Sequence, residues 1–241
     1  MNKIVKNIIK WIIAVAATVV VAFVGSWLVG SYLENRNADN YFYTVNDDGV
    51  SCTVTGVKAG VGGGVTGLYI PDKIKGYTVT AIANEAFMDN DFISSMRMPE
   101  TIVSIGERAF KGCSNIKRVY ITDSVTFIGE AMLEGCINLT YMEVGAKVTV
   151  IPDNFANGCV KLATVVLPKG LTNVGKDAFL NCDSLTYLFY FSNVDDWQNV
   201  EAINKEQLNN CVYYFSEIKP PIAGKYWFRS KNNSNGIWRY N

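Results

Sequence analysis

Histidine is absent from the 241-residue sequence. With it go the imidazole proton shuttle, the Ser-His-Asp and Cys-His nucleophile pairs and the helical His-Glu-x-x-His zinc site. Net charge is missing too, since 22 Lys+Arg balance 22 Asp+Glu. This argues against a nucleic-acid partner, because phosphate neutralisation needs clustered excess cation. Charged residues make up only 18% of the chain against 49% hydrophobic, which assigns part of the apolar content to a membrane segment instead of a core.

That segment is Trp11 to Leu33, a run without a single charge. At ~1.5 Å per helical residue it spans ~34 Å, enough to cross a ~30 Å hydrocarbon layer. Lys3, Lys6 and Lys10 precede it, whereas Glu34, Arg36 and Asp39 follow. The positive-inside bias therefore predicts a signal anchor of a cell membrane, with a cytoplasmic N-terminus and the remainder extracellular. The alternative is a cleaved signal peptide, with Val29-Gly30-Ser31 as the cleavage site. Ala14, Thr18, Ala22, Ser26 and Gly30 recur every fourth residue. A small-residue stripe of this kind lets helices approach closely and offers self-association, although a segment rich in Ala, Gly and Ser also shows this spacing by chance.

The rest of the chain is periodic. Cys113, Cys136, Cys159 and Cys182 each follow the last by 23 residues, and self-similarity at such a period means stacked coils. Three columns are aliphatic throughout: Ile82, Ile105, Ile128, Ile151, Val174; Ile93, Ile116, Leu139, Leu162, Leu185; and Val79, Ile102, Val125, Val148, Leu171. An adjacent pair of columns reads Ala86-Phe87, Ala109-Phe110, Met132-Leu133, Phe155-Ala156, Ala178-Phe179. Ring and small partner exchange places, which keeps volume constant in a close-packed interior. Each unit predicts a short strand such as Arg118 to Ile121, a second extended piece near Thr126 to Ile128, and one helical turn from Ala131 to Gly135.

The units PETIVSIGERAFKGCSNIKRVYI, TDSVTFIGEAMLEGCINLTYMEV and PKGLTNVGKDAFLNCDSLTYLFY resemble the BspA-type leucine-rich repeat of bacterial surface proteins. The likeness covers about five units, from Gly76 to Tyr190. It extends to the flanks, with DGVSCTVTGVKAG before the repeats and VDDWQNV, VYYFSEIKPP and GKYWFR after them. The unit starting at Gly145 departs from it, carrying Pro152 in the glycine column. The resemblance implies an α/β leucine-rich-repeat solenoid with a parallel sheet, capped at both ends and displayed at the surface, with protein binding or adhesion as its role and no catalytic residues. The boundaries expected are a cytoplasmic N-terminus (1–10), the transmembrane anchor (11–33), a linker (34–43), a cap hairpin (44–75), the solenoid (76–192), and a C-terminal cap and tail (193–241) with a helix near Asp195 to Leu208.

Few residues invite chemistry. Gly62 to Gly67 satisfies G-x-G-x-x-G, but the following Val65 to Ile70 is strand-forming and ends at Pro71, so no helix N-terminus is available for a phosphate. The acidic pairs Asp47-Asp48 and Asp89-Asn90-Asp91 lack EF-hand spacing and sit where turns are expected. The four repeat cysteines, stacked ~4.8 Å apart, fall within the Cα spacing of a disulfide, but side chains pointing the same way suit that bond poorly. The expectation is a ladder of buried free thiols with disulfides as the alternative, and a line of thiolates converges on no metal. No cofactor or metal is called for.

The outward strand columns are more informative: Ser95, Arg118, Tyr141, Thr164, Tyr187 and Arg97, Tyr120, Glu143, Val166, Phe189. Arg97, Arg118, Tyr120, Tyr141, Glu143, Tyr187 and Phe189 are the candidate contact residues for a protein or cell-surface ligand, because exposed aromatics and arginines on a rigid face are typical anchors. Aromatics also favour strands for their own sake, which leaves a ligand-free scaffolding ectodomain as the alternative.

Overall fold

The computed structural model describes residues 38–58, 67–220, 224–230 and 235–237. The anchor segment 11–33, its small-residue stripe and most of the Gly62–Gly67 loop lie outside the described residues. Among the described residues no helix is long and apolar enough to cross a membrane.

The chain enters through a hairpin, β1 (Tyr41–Val45) and β2 (Ser51–Val57). Asp48 holds the turn between them, its carboxylate accepting from the Val50 and Ser51 amides at 2.9 and 2.8 Å, and Gly49 sits at φ 67°. β1 lies partly inside the segment read as a linker, because Tyr41 is buried in the core and its hydroxyl donates to the Tyr69 carbonyl. Within the expected cap hairpin (44–75), β2 and β3 (Gly67–Tyr69) do not pair with each other. β2 pairs in parallel with β5 (Tyr77–Ile82), whereas β3 joins another side of the molecule; β4 (Lys73–Ile74) folds back on β5.

Each following coil contributes a pair of strands: β6 (Ser95–Arg97) with β7 (Ser104–Ile105), β8 (Arg118–Tyr120) with β9 (Phe127–Ile128), β10 (Tyr141–Glu143) with β11 (Val150–Ile151), and β12 (Thr164–Leu167) with β13 (Asn173–Val174). Then come β14 (Tyr187–Tyr190), α1 (Val194–Gln198), β15 (Glu201–Ala202), α2 (Lys205–Asn209) and β16 (Val212–Phe215). The principal side stacks β8, β10, β12, β14 and β16 in parallel. β3 and β6 extend it, linked onward by the Lys117 amide to the Ser94 carbonyl at 3.3 Å. The second side runs β2-β5-β7-β9 and resumes as β11-β13-β15. The solenoid has about seven turns instead of five, because the end turns depart from the 23-residue template: Gly67 aligns with Ser95, and Leu188 with Val212.

The third side corrects the expected helical turn and, with it, the α/β reading. Ala131 and Gly135 have φ of 54° and 73°, so the backbone between them is a left-handed-bounded turn. Its alternate amides point along the solenoid axis: Ala131, Leu133 and Gly135 donate to the Asp153, Phe155 and Asn157 carbonyls of the next coil at 3.0, 2.8 and 2.8 Å. A helix would have consumed those donors within its own coil. The repeats are therefore strands and turns, and the described helices α1 and α2 belong to the C-terminal cap. Glu85, Arg108, Asn154 and Asp177 hold the same left-handed position as Ala131, a strain of roughly 1–2 kcal/mol per non-glycine residue that the inter-coil bonds sustain.

The aliphatic columns are buried from Val79 to Val174, with Leu185 half-exposed at the end of its column. The exchanged aromatic columns interlock, Phe87 stacking on Phe110 at 5.1 Å and Phe155 meeting Phe179 edge-on at 6.3 Å. Coils approach so closely on the second side that a Cβ on Gly129 would lie 2.3 Å from the Glu107 amide nitrogen. Trp197 and Val200 are buried at the last coil, and β15 splits the helix expected near Asp195 to Leu208 in two. Asn193 caps α1, its side chain accepting from the Asp196 amide at 2.9 Å.

Candidate binding face

Strand alternation sends Met96, Val119, Met142, Val165 and Leu188 inward on the principal side and leaves their neighbours on the outer face. The ladder registers align Arg118 with Tyr141, Thr164 and Tyr187, and Tyr120 with Glu143, Val166 and Phe189. The sequence columns are thus physical rows on one surface.

That surface has two parts. In the N-terminal part Arg97 and Arg118 are exposed, and Tyr120 is 47% exposed. Arg97 lies 5.8 Å over the ring of Tyr69, and Arg118 lies 6.0 Å over Tyr141, whose ring is 5.5 Å from Tyr120. An open groove of about 500 Å3 runs beside Tyr69, Arg97 and Tyr120, with Asp72 and Glu100 on its margin.

The C-terminal part is covered. β17 (Tyr226–Arg229) pairs in parallel with β16 and turns back against β18 (Asn235–Ile237), and its side chains lie over the outer face. Trp227 is fully buried, 5.0 Å from the ring of Phe189 and 4.7 Å from Phe191, and its indole N–H donates to the Tyr190 carbonyl at 3.0 Å. Arg229 pairs with Glu143 at 2.8 Å and stacks 4.7 Å over Phe191. Phe189 and Val166 are consequently buried, and Tyr141, Glu143 and Tyr187 are half-buried. Phe189 offers no free contact surface, contrary to its place among the expected anchors, because the tail supplies the apolar cover that water would otherwise deny it. Burial, then the bond its hydroxyl donates to Glu143 Oε2 at 2.8 Å, holds the Tyr141 phenol well above its ordinary value.

Sequence reasoning placed Trp227 and Arg229 only in a terminal tail. The signal available was the cluster Tyr226-Trp227-Phe228-Arg229 itself, too hydrophobic for a solvated terminus. Tyr69 was missed because the irregular first turn takes β3 out of the 23-residue register.

The cysteine ladder is buried and its thiols are free. Each thiol donates to a carbonyl of the preceding coil: Cys113 to Phe87, Cys136 to Phe110, Cys159 to Leu133 and Cys182 to Ala156, at 3.0 to 3.2 Å. Burial pushes Cys113 and Cys182 up to about 12, and the neighbouring Cys159 thiol together with burial raises Cys136 as well. Such thiols are inert packing groups. Among the described residues no group of three or more metal-ligating side chains converges.

Six copies of the BspA type Leucine rich repeat region match residues 80–214. No curated protein matches the chain. Among solved structures, the T. pallidum Leucine Rich Repeat protein is similar at a TM-score of 0.58 and 24% identity, over 63% of this chain and 69% of that one. A leucine-rich repeat protein from Eubacterium ventriosum (TM-score 0.49, 21% identity, 62% of this chain and 40% of that one) and a leucine rich cell surface protein from Faecalibacterium prausnitzii (0.43, 19%, 83% and 60%) are also similar. No catalytic family is indicated. With the repeat matched over more than half its length, the chain belongs to the BspA type leucine rich repeat family.

Proposed function

We propose that the protein is a binding module held to a bacterial membrane by residues 11–33 and presenting its solenoid outside the cell, with the open N-terminal part of the principal face as its contact surface. The observation that carries this is the exposed cluster of Arg97, Arg118 and Tyr120 beside the Tyr69 groove, on a backbone fixed by inter-coil hydrogen bonds. Tyrosine and arginine combine contact area with directional donors, and a few such residues carry most of an interface's binding energy. A rigid face also loses little conformational freedom on binding. The family's surface members support the location, and the lysines before residue 11 support the orientation.

The test uses the full chain in detergent micelles, immobilised against solubilised cell-envelope proteins. A partner retained by the unaltered chain is expected to bind the Arg118→Ala/Tyr120→Ala variant about 30-fold more weakly, the equivalent of ~2 kcal/mol, while the melting temperature moves by less than ~3 °C. Full affinity in a folded variant would move the contact surface elsewhere, and the absence of any specific partner would favour the scaffolding reading.

A further inference from the structure

The tail on the C-terminal part of the face is chemically distinct from the solenoid it lies on. Trp227, Phe189 and Val166 form a small cluster of their own, separate from the continuous core within the coils. The contacts are specific: an indole N–H to the Tyr190 carbonyl, a guanidinium to the Glu143 carboxylate 86 residues away, and that guanidinium 4.7 Å over the Phe191 ring. Trp227 and Arg229 are two residues apart on a strand, so they project to the same side. The main chain of β17 meanwhile adds to the edge of β16. Backbone addition at a sheet edge with pockets for alternate side chains is a recurring mode of peptide recognition.

The fit is also incomplete. Among the described residues, the buried Arg229 Nε and Asn235 Oδ1 have no hydrogen-bond partner, and an unsatisfied buried polar group opposes the burial that created it. Displacing the tail returns both atoms to water.

We infer that the tail is a ligand bound in cis, occupying a peptide site formed by Glu143, Tyr190, Phe191 and the edge of β16, and that a partner segment carrying an aromatic residue and an arginine two positions apart displaces it. This rests on the reading of the principal face as the binding surface and extends that surface from Arg97 to Tyr213. The short connection from β16 to β17 holds the tail at an effective concentration on the order of millimolar, so the site stays closed to weak competitors and opens to strong ones.

The probe is a fluorescein-labelled synthetic peptide of residues 224–230 (GKYWFRS), with fluorescence anisotropy as the readout on the full chain in micelles. The Trp227→Ala/Arg229→Ala variant should bind it saturably and at least tenfold more tightly than the unaltered chain. Adding Glu143→Gln to that variant should weaken binding at least tenfold. No saturable binding, or equal binding to variant and unaltered chain, would overturn the inference. Loss of cooperative melting in the double variant would overturn it too, by showing the tail to be part of the core. None of these readouts involves Arg118 or Tyr120, so this inference can fail while partner capture by the open part of the face stands.

Discussion

Cys113 and Cys182 show how a repeated residue becomes a repeated interaction. Each is a small apolar group in a tight core, and each gives its hydrogen to a main-chain carbonyl one coil earlier. The unfolded chain ionises these thiols near 9.0, whereas the folded chain retains their protons to about 12. Between those values the folded state binds more protons, so stability is complete below pH 9 and declines as pH rises through the window. The slope is at most about 1.4 kcal/mol per pH unit for each thiol. A Cys113→Ala/Cys182→Ala variant is expected to lose less of its melting temperature between pH 9 and 11 than the unaltered chain does, and parallel declines would refute the linkage. Burial of the thiols was legible in the 23-residue spacing. Their acceptors were not, because a carbonyl leaves no mark in a sequence.

Among the elements, the break in the second side has one cause. Gly106, Gly129 and Gly175 donate their amides to the carbonyls of Ile82, Ile105 and Ile151 in the preceding coils, at 2.8 to 2.9 Å. Pro152 holds the same column without an N–H, and there β9 and β11 go unpaired. A cleft of about 450 Å3 opens beside the exposed Phe127 and Val150. Pro152→Gly should restore the bond to the Ile128 carbonyl, slowing amide exchange at Val150 by tenfold or more and giving position 152 a protected amide. Overall stability should stay within ~1 kcal/mol, since the added hydrogen bond is offset by the freer unfolded chain. Unchanged exchange would mean the strands are held apart by something other than the missing donor. The departure at Pro152 was visible in the sequence, and its consequence was not. The Ala131–Gly135 turn was misread for a related reason: five residues with helix-compatible side chains say nothing of amides turned toward a neighbouring coil.

At the scale of the whole molecule a single buried cluster runs from Ala38 to Val212, and this much was legible because every coil repeats the same apolar columns. The cap closes it through Trp197, which is fully buried 5.3 Å from Tyr190 and donates to Asn209 Oδ1 at 2.8 Å. Trp197→Ala should lower unfolding free energy by about 3–5 kcal/mol with one urea transition retained. A second transition would show that the last coils melt apart from the rest. The tail over the sheet escaped the sequence reading because Arg229 and Glu143 share no period and belong to no repeated pattern.

The ladders and the tail together determine how such a chain can change its length. A whole 23-residue unit gained or lost leaves every column matched to its neighbours and alters the stack by about 4.8 Å, whereas a shorter insertion throws each later coil out of step. That freedom is not uniform along the axis. Arg229 reaches Glu143 across the intervening strands β12, β14 and β16, so duplication or loss of a coil between Glu143 and the cap would separate that pair, while the same event before Tyr141 would leave it intact. Lineages carrying this tail should therefore vary in reach by adding or shedding coils on the N-terminal side, with the count beyond Glu143 held constant.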